Sequence, residues 1–225
     1  MVVSAASSSQ RPTLSTPRIL AFGDSFTEGA DGETLFPAVD PATPGPPRSY
    51  PYKLQTLAAQ RYTTQTIAVF NGGQGGANAA ESQPRLASLL SQFNPDVVIP
   101  LCGVNDLNGG AAISTVAASM DRLIGEVQSR GKYVVLSSLP RQREGGRRAF
   151  SLPLVAPYNT ALRALAAADG AIFADVYPLV TDDLLAPDGL HISENGNLVL
   201  ATAYFDVLRT RFEFAQAGST SRSRQ

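Results

Sequence analysis

Five short runs rich in β-branched and aromatic residues recur along the chain, each followed by a longer stretch, and that alternation restricts the fold more than any other feature. The runs are 18–22 (RILAF), 66–70 (TIAVF), 96–101 (DVVIPL), 133–139 (YVVLSSL) and 171–176 (AIFADV). They lack the polar alternation of a half-exposed strand, so both faces of each should be covered. Helical patterns lie between and after them, over 50–61, 82–93, 111–130, 154–168 and about 194–213. In the last, Leu198, Ala201, Phe205, Leu208 and Phe212 fall on one stripe at helical spacing. Asn94-Pro95 and Gly131 are natural stops for two of the helices. Five β-α units in series predict a parallel sheet held between helical layers by right-handed crossovers, an α/β fold in three layers.

The chain has 225 residues, 44% of them hydrophobic, enough for one packed domain and short for two. No internal repeat or interior linker divides it, and the domain is expected over 18–213. Residues 1–17 read as a disordered lead and 214–225, polar and small, as a flexible tail. The lead has no basic start and too short an apolar run for a secretion signal. The chain therefore reads as cytoplasmic as written, or secreted if a leader was removed. Lys+Arg (18) and Asp+Glu (19) nearly balance, so no global field draws the protein to nucleic acid or an anionic membrane. One cysteine precludes an internal disulfide, and with one histidine leaves too few soft ligands for an ordinary zinc site. No stretch approaches the roughly 18 apolar residues of a membrane span.

Two loops break the rhythm. Residues 30–49, rich in Pro and Gly, follow the first strand; residues 140–153, with Arg141, Arg143, Arg147 and Arg148, follow the fourth. Both leave the carboxyl ends of strands, where open α/β sheets place their sites. The same rim should gather Gly23-Asp24-Ser25 after strand one and Asn71-Gly72-Gly73-Gln74-Gly75-Gly76 after strand two. It should also gather Gly103-Val104-Asn105-Asp106 after strand three and Asp188-Gly189-Leu190-His191 beyond strand five. A serine hydroxyl attacks only when a base takes its proton. His191 is the sole histidine, and Asp188, three residues earlier, can accept from its Nδ1–H and hold the tautomer. An acyl-transfer intermediate also needs donors for its oxyanion. The Ser25 N–H, a glycine N–H within 72–76 and the Asn105 side chain are the candidates.

These four clusters, in this order, resemble the signature blocks of the SGNH-hydrolase (GDSL esterase/lipase) superfamily. The resemblance covers about 18–213 and implies a flavodoxin-like α/β/α fold with a five-stranded parallel sheet. It further implies hydrolysis of small-molecule carboxylic esters, with no metal or cofactor. By that resemblance Ser25 is the nucleophile and an N–H donor, Asn105 the side-chain donor, His191 the base and Asp188 its orienter. An asparagine followed five residues later by the functional glycine selects Gly76 as the remaining donor. Phe26 stands where the family commonly has leucine. Short acyl chains are the expected substrates. Carbohydrate acetylesters, thioesters and lysophospholipids are alternatives within the superfamily, and a catalytically silent binding module or a carboxylate-pair glycosidase using Asp24 and Asp188 are rivals outside it. The oligomeric state is not specified.

Each residue also has a purely structural reading. Ser25 could cap a helix, Asp188 could cap the last helix or open a turn, and Asn105 could bond its own backbone. Asp106 is expected to be structural, Cys102 a small core residue, and the four arginines a solvated loop. Phe36, Tyr50 and Tyr52 are expected to pack rather than hold substrate. The glycine run is not a phosphate loop, because Asn78 stands where a third glycine would be needed and no Gly-Lys-Ser/Thr occurs.

Overall fold

Runs without polar alternation form strands whose middles are buried, because helices cover the sheet on both sides, while Tyr133 stays 56% exposed and Ile172 and Phe173 at the sheet edge are half-buried. The computed structural model describes residues 11–32 and 38–215. In chain order the elements are β1 (Pro12–Leu14), β2 (Arg18–Gly23), α1 (Ser25–Glu28), α2 (Tyr50–Arg61), β3 (Ala68–Gly73), α3 (Gln83–Phe93) and β4 (Val97–Leu101). There follow α4 (Val104–Asn108), α5 (Ile113–Gln128), β5 (Tyr133–Ser137), α6 (Leu152–Asp169), β6 (Ile172–Ala174), α7 (Glu194–Phe212) and β7 (Glu213–Ala215). The five-stranded sheet has the order β3-β2-β4-β5-β6, parallel throughout. Helix α2 packs on α7, and α5 packs on α3 and α6, which gives the two outer layers. Ile19, Leu20, Ala21 and Phe22 of β2 and all of β4 are buried in the middle. Pro100 has no N–H to donate; the paired residues of β4 and β5 end earlier, at Val98.

The chain leaves β2 outward to β3 and then crosses back to β4 on the other side of β2. The crevice between two diverging connections is where such sheets hold ligands. Register levels the strand ends there: Gly23 lies opposite both Gly73 and Leu101. The Asp24-Ser25 turn, the glycine loop and the Asn105 helix therefore start from one height.

Two expectations are corrected. The lead was expected to be disordered through residue 17, and the tail to begin at 214. Instead β1 and β7 pair antiparallel, with Leu14 opposite Glu213 and Pro12 opposite Ala215. Leu14 is buried, its backbone held by the Gln65 amide, and Glu213 binds Arg61 and the Tyr62 hydroxyl. The pairing joins opposite ends of the sequence, so no local pattern announces it. Residues 1–10 and 216–225 lie outside the described residues. In α7 the buried stripe is Leu200, Ala201, Tyr204, Leu208 and Phe212, whereas Leu198 faces solvent. Tyr204 is buried because its hydroxyl meets Ser137 Oγ at 2.7 Å. Among the described residues no helix is long and apolar enough to cross a membrane.

Candidate active site

The strand β2 ends at Gly23, and Asp24 turns the chain so that Ser25 opens α1. Asp24, not Ser25, is the cap: its Oδ1 accepts from the Phe26 N–H at 3.0 Å. The serine hydroxyl is thereby free for another partner, and it meets His191 Nε2 at 2.9 Å. On the far side of the ring, His191 Nδ1 lies 2.6 Å from Asp188 Oδ2. Asp188 Oδ1 accepts from the Leu190 and His191 N–H groups at 3.0 and 2.9 Å, which fixes the carboxylate in its own turn. Burial pushes the Asp188 carboxyl up, but the bonds from the His191 ring and these two amides outweigh it, and it ends below the ordinary carboxylate value. An ionised Asp188 favours the Nδ1–H tautomer and leaves Nε2 as the acceptor facing Ser25.

Ser25 and His191 lie in a cleft of about 660 Å³ that is also lined by Gly75, Gly76 and Asn105. Gly72 and Gly73 belong to β3 instead, so only the last two glycines of the run reach the cleft. Asn71 shapes the loop: its Oδ1 accepts from the Gly73 N–H and its Nδ2 donates to Pro44 O of the proline loop. Asn105 Nδ2 donates to Ala77 O at 2.9 Å, which ties α4 to the glycine loop and leaves the amide a second N–H. Asp106 is structural, as expected, accepting from the Ala79 and Ala80 N–H groups. Four of the sequence-predicted site residues, Ser25, Gly76, Asn105 and His191, thus line one cleft, and the fifth, Asp188, is buried behind the His191 ring.

The comparisons with known proteins bear on the family and the fold. The model of the GDSL-like lipase/acylhydrolase family matches residues 21–199, which include all five. The chain belongs to that family. An arylesterase from Vibrio mimicus is 27% identical over 84 residues, a match that spans 37% of this chain and 42% of the arylesterase. Among solved structures, a lipase/acylhydrolase from Enterococcus faecalis superposes with a TM-score of 0.72 at 24% identity, covering 88% of this chain and 98% of its own. An acetylxylan esterase from Geobacillus stearothermophilus gives 0.70 at 20% identity, covering 87% and 95%. A carbohydrate acetylesterase family member from Sinorhizobium meliloti gives 0.71 at 18%, covering 85% and 97%. These structural likenesses bear on the fold.

Around this GDSL-family site lie residues that sequence reasoning passed over. Gly32 of the proline loop has φ +76°, and a Cβ there would run into Asp188 Oδ2 and the His191 ring. Only a glycine lets the loop cover the Asp–His pair so closely. Residues 140–153 brace the pair from the other side, where the Arg143 N–H donates to Gly189 O and the Arg148 N–H to Asp188 O. The arginines of this loop are fastened to the protein rather than simply solvated. Arg143 binds the Asp182 and Leu185 carbonyls and Arg147 the Gly32 carbonyl; Arg148 lines the cleft with Nε 3.9 Å from Asp188 Oδ2. Phe150, 73% exposed, stands at the cleft edge, and Glu28 and Asn108 also line it. Tyr50 packs on Tyr204 in the core as expected, and Phe36 lies outside the described residues.

Behind Ser25, Arg85 clamps the two strand ends, donating to the carbonyls of Gly23 and Gly72 with its guanidinium over the Phe22 ring. Asp24 is wholly buried beside it, Oδ2 without a partner, and faces no cleft, so it is no second acid for a glycosidase. Burial, aided by the charge of Asp106, pushes the Asp24 carboxyl up from 3.8 to about 7. The folded protein holds that proton more tightly than the unfolded chain, so stability is lost as pH rises from about 4 to about 7, by roughly 4 kcal/mol. Asn caps as well as Asp. Asp24→Asn should therefore be more stable than the wild type at pH 8 and gain little at pH 4, read from urea melts. An equal difference at both pH values would refute the buried neutral acid.

Proposed function

We propose that the protein is a serine ester hydrolase that works through a covalent acyl-enzyme on short, acetyl-like esters. The observation that carries this reading is the unbroken line Ser25 Oγ–His191 Nε2–Asp188, at 2.9 and 2.6 Å, in the floor of an open cleft. Ser25 Oγ bonds to the ester carbonyl carbon while its proton passes to His191 Nε2. The Ser25 and Gly76 N–H groups and the free N–H of Asn105 receive the oxyanion. Collapse breaks the bond to the alcohol oxygen, which takes the proton from His191. A water then gives its proton to the same nitrogen and attacks the acyl-enzyme, releasing acid and restoring Ser25.

The purified protein should hydrolyse p-nitrophenyl acetate, and Asn105→Ala should lower kcat by about 10²–10³. A loss confined to KM would make Asn105 a binding residue and not an oxyanion donor. A second reading gives the leaving group a sugar. It is favoured by Phe150, an apolar ring exposed at the cleft edge, and by the likeness to structures described as acetylxylan and carbohydrate acetylesterases. Acetate release from acetylated xylo-oligosaccharides at a rate above that from p-nitrophenyl acetate would establish it.

A further inference from the structure

Glu28 is the last residue of α1, one turn beyond Ser25. It lines three hollows at once. One is the catalytic cleft; the second, of about 230 Å³, is walled by Ala38, Val39 and Pro46; the third, of about 260 Å³, by Val39, Pro41 and Leu89. Its backbone abuts Gly73 at the end of β3, and its carboxylate rests against Gly75, where a Cβ would come within 2.7 Å of Oε2. Gly73 faces the third hollow and Gly75 the cleft, so the Glu28 side chain stands on the boundary between them. Among the described residues its carboxylate makes no hydrogen bond or ion pair, and it is not held in place for the sake of the fold.

The chemistry at Ser25 orients a bound ester. The alcohol oxygen must lie within reach of His191 Nε2, so the leaving group departs over Leu190, Arg148 and Phe150. The oxyanion points to Gly76 and Asn105. The remaining substituent of the carbonyl carbon, the acyl chain, runs toward the wall formed by Glu28. The Glu28 side chain fills that boundary by its size, whereas the hollows beyond it offer Val39, Pro41, Pro46 and Leu89 as apolar walls, with Asp40 and Arg85 also in their lining.

We propose that Glu28 closes the acyl end of the cleft and sets the acyl-length limit, and that behind it lies an apolar subsite fit for a medium-length acyl chain. This rests on the ester-hydrolase reading above. The test is kcat/KM for p-nitrophenyl acetate, butyrate, hexanoate and octanoate with the wild type, Glu28→Ala and Glu28→Gln. Each methylene moved into apolar surroundings is worth roughly a factor of four. The hexanoate-to-acetate ratio should therefore rise at least about tenfold in Glu28→Ala, while Glu28→Gln, of the same size, stays within about twofold of the wild type. Because both esters are measured on one preparation, any unfolded fraction cancels from the ratio. A wild type that already prefers hexanoate, a ratio unchanged in Glu28→Ala, or a Glu28→Gln shift as large as that of Glu28→Ala would overturn the proposal. Acetate turnover abolished by Ser25→Ala keeps the hydrolase reading standing in any of those cases; a wild type without ester turnover would bring down both.

Discussion

Ser25→Ala should lower kcat for p-nitrophenyl acetate by about 10⁵–10⁶ and leave the thermal midpoint within a degree or two. The size of the loss follows from geometry. The Ser25 hydroxyl is the one group placed 2.9 Å from His191 Nε2, and without it the imidazole has only water to activate. The small structural cost follows from the division of labour at the end of β2. Asp24 caps α1 through Phe26, so removing the Ser25 hydroxyl takes nothing from the turn. A variant that kept a tenth of the activity would show that ester cleavage proceeds by another nucleophile.

The second large effect is expected at Asp188. Asp188→Asn preserves size, and the amide oxygen can still accept from the Leu190 and His191 N–H groups. The other oxygen, now an NH₂, would face His191 Nδ1 and donate to it. The ring would then carry its proton on Nε2, the nitrogen that must accept from Ser25. A fall of about 10⁴ in kcat with KM little changed is expected. Steady-state kinetics at pH 7–8 check it. A loss mainly in KM, or under tenfold in kcat, would mean that Asp188 only shapes the turn.

Much of this architecture is legible in the sequence because its determinants are local. Runs such as 18–22 and 96–101 have no polar face to show to water, and helices must cover them. Asn94, at φ 41° after α3, stops its helix within one residue of the expected place. The candidate site is legible for a similar reason: each of its residues follows a strand end or sits in a short turn, and register levels the ends. What escapes the sequence depends on contacts between distant segments. The β1–β7 pair joins the two ends of the chain, and Gly32 matters only because its loop lies on Asp188 and His191. The apolar stripe of α7 includes Leu198, yet Tyr204 is buried and Leu198 is not, because an internal serine satisfies the polar tip of Tyr204. The spacing of Glu28, three residues after Ser25 on a helical turn, puts both at the same cleft, but its place at the boundary with the two hollows needs the fold.

The central claim is that this hydrogen-bonded line makes Ser25 a nucleophile, and covalent labelling tests it most directly. The wild type should be inactivated by a fluorophosphonate with one adduct per chain, and peptide mapping should place that adduct on Ser25. An adduct on any other residue, or continued ester hydrolysis by protein that takes up no label, would contradict it.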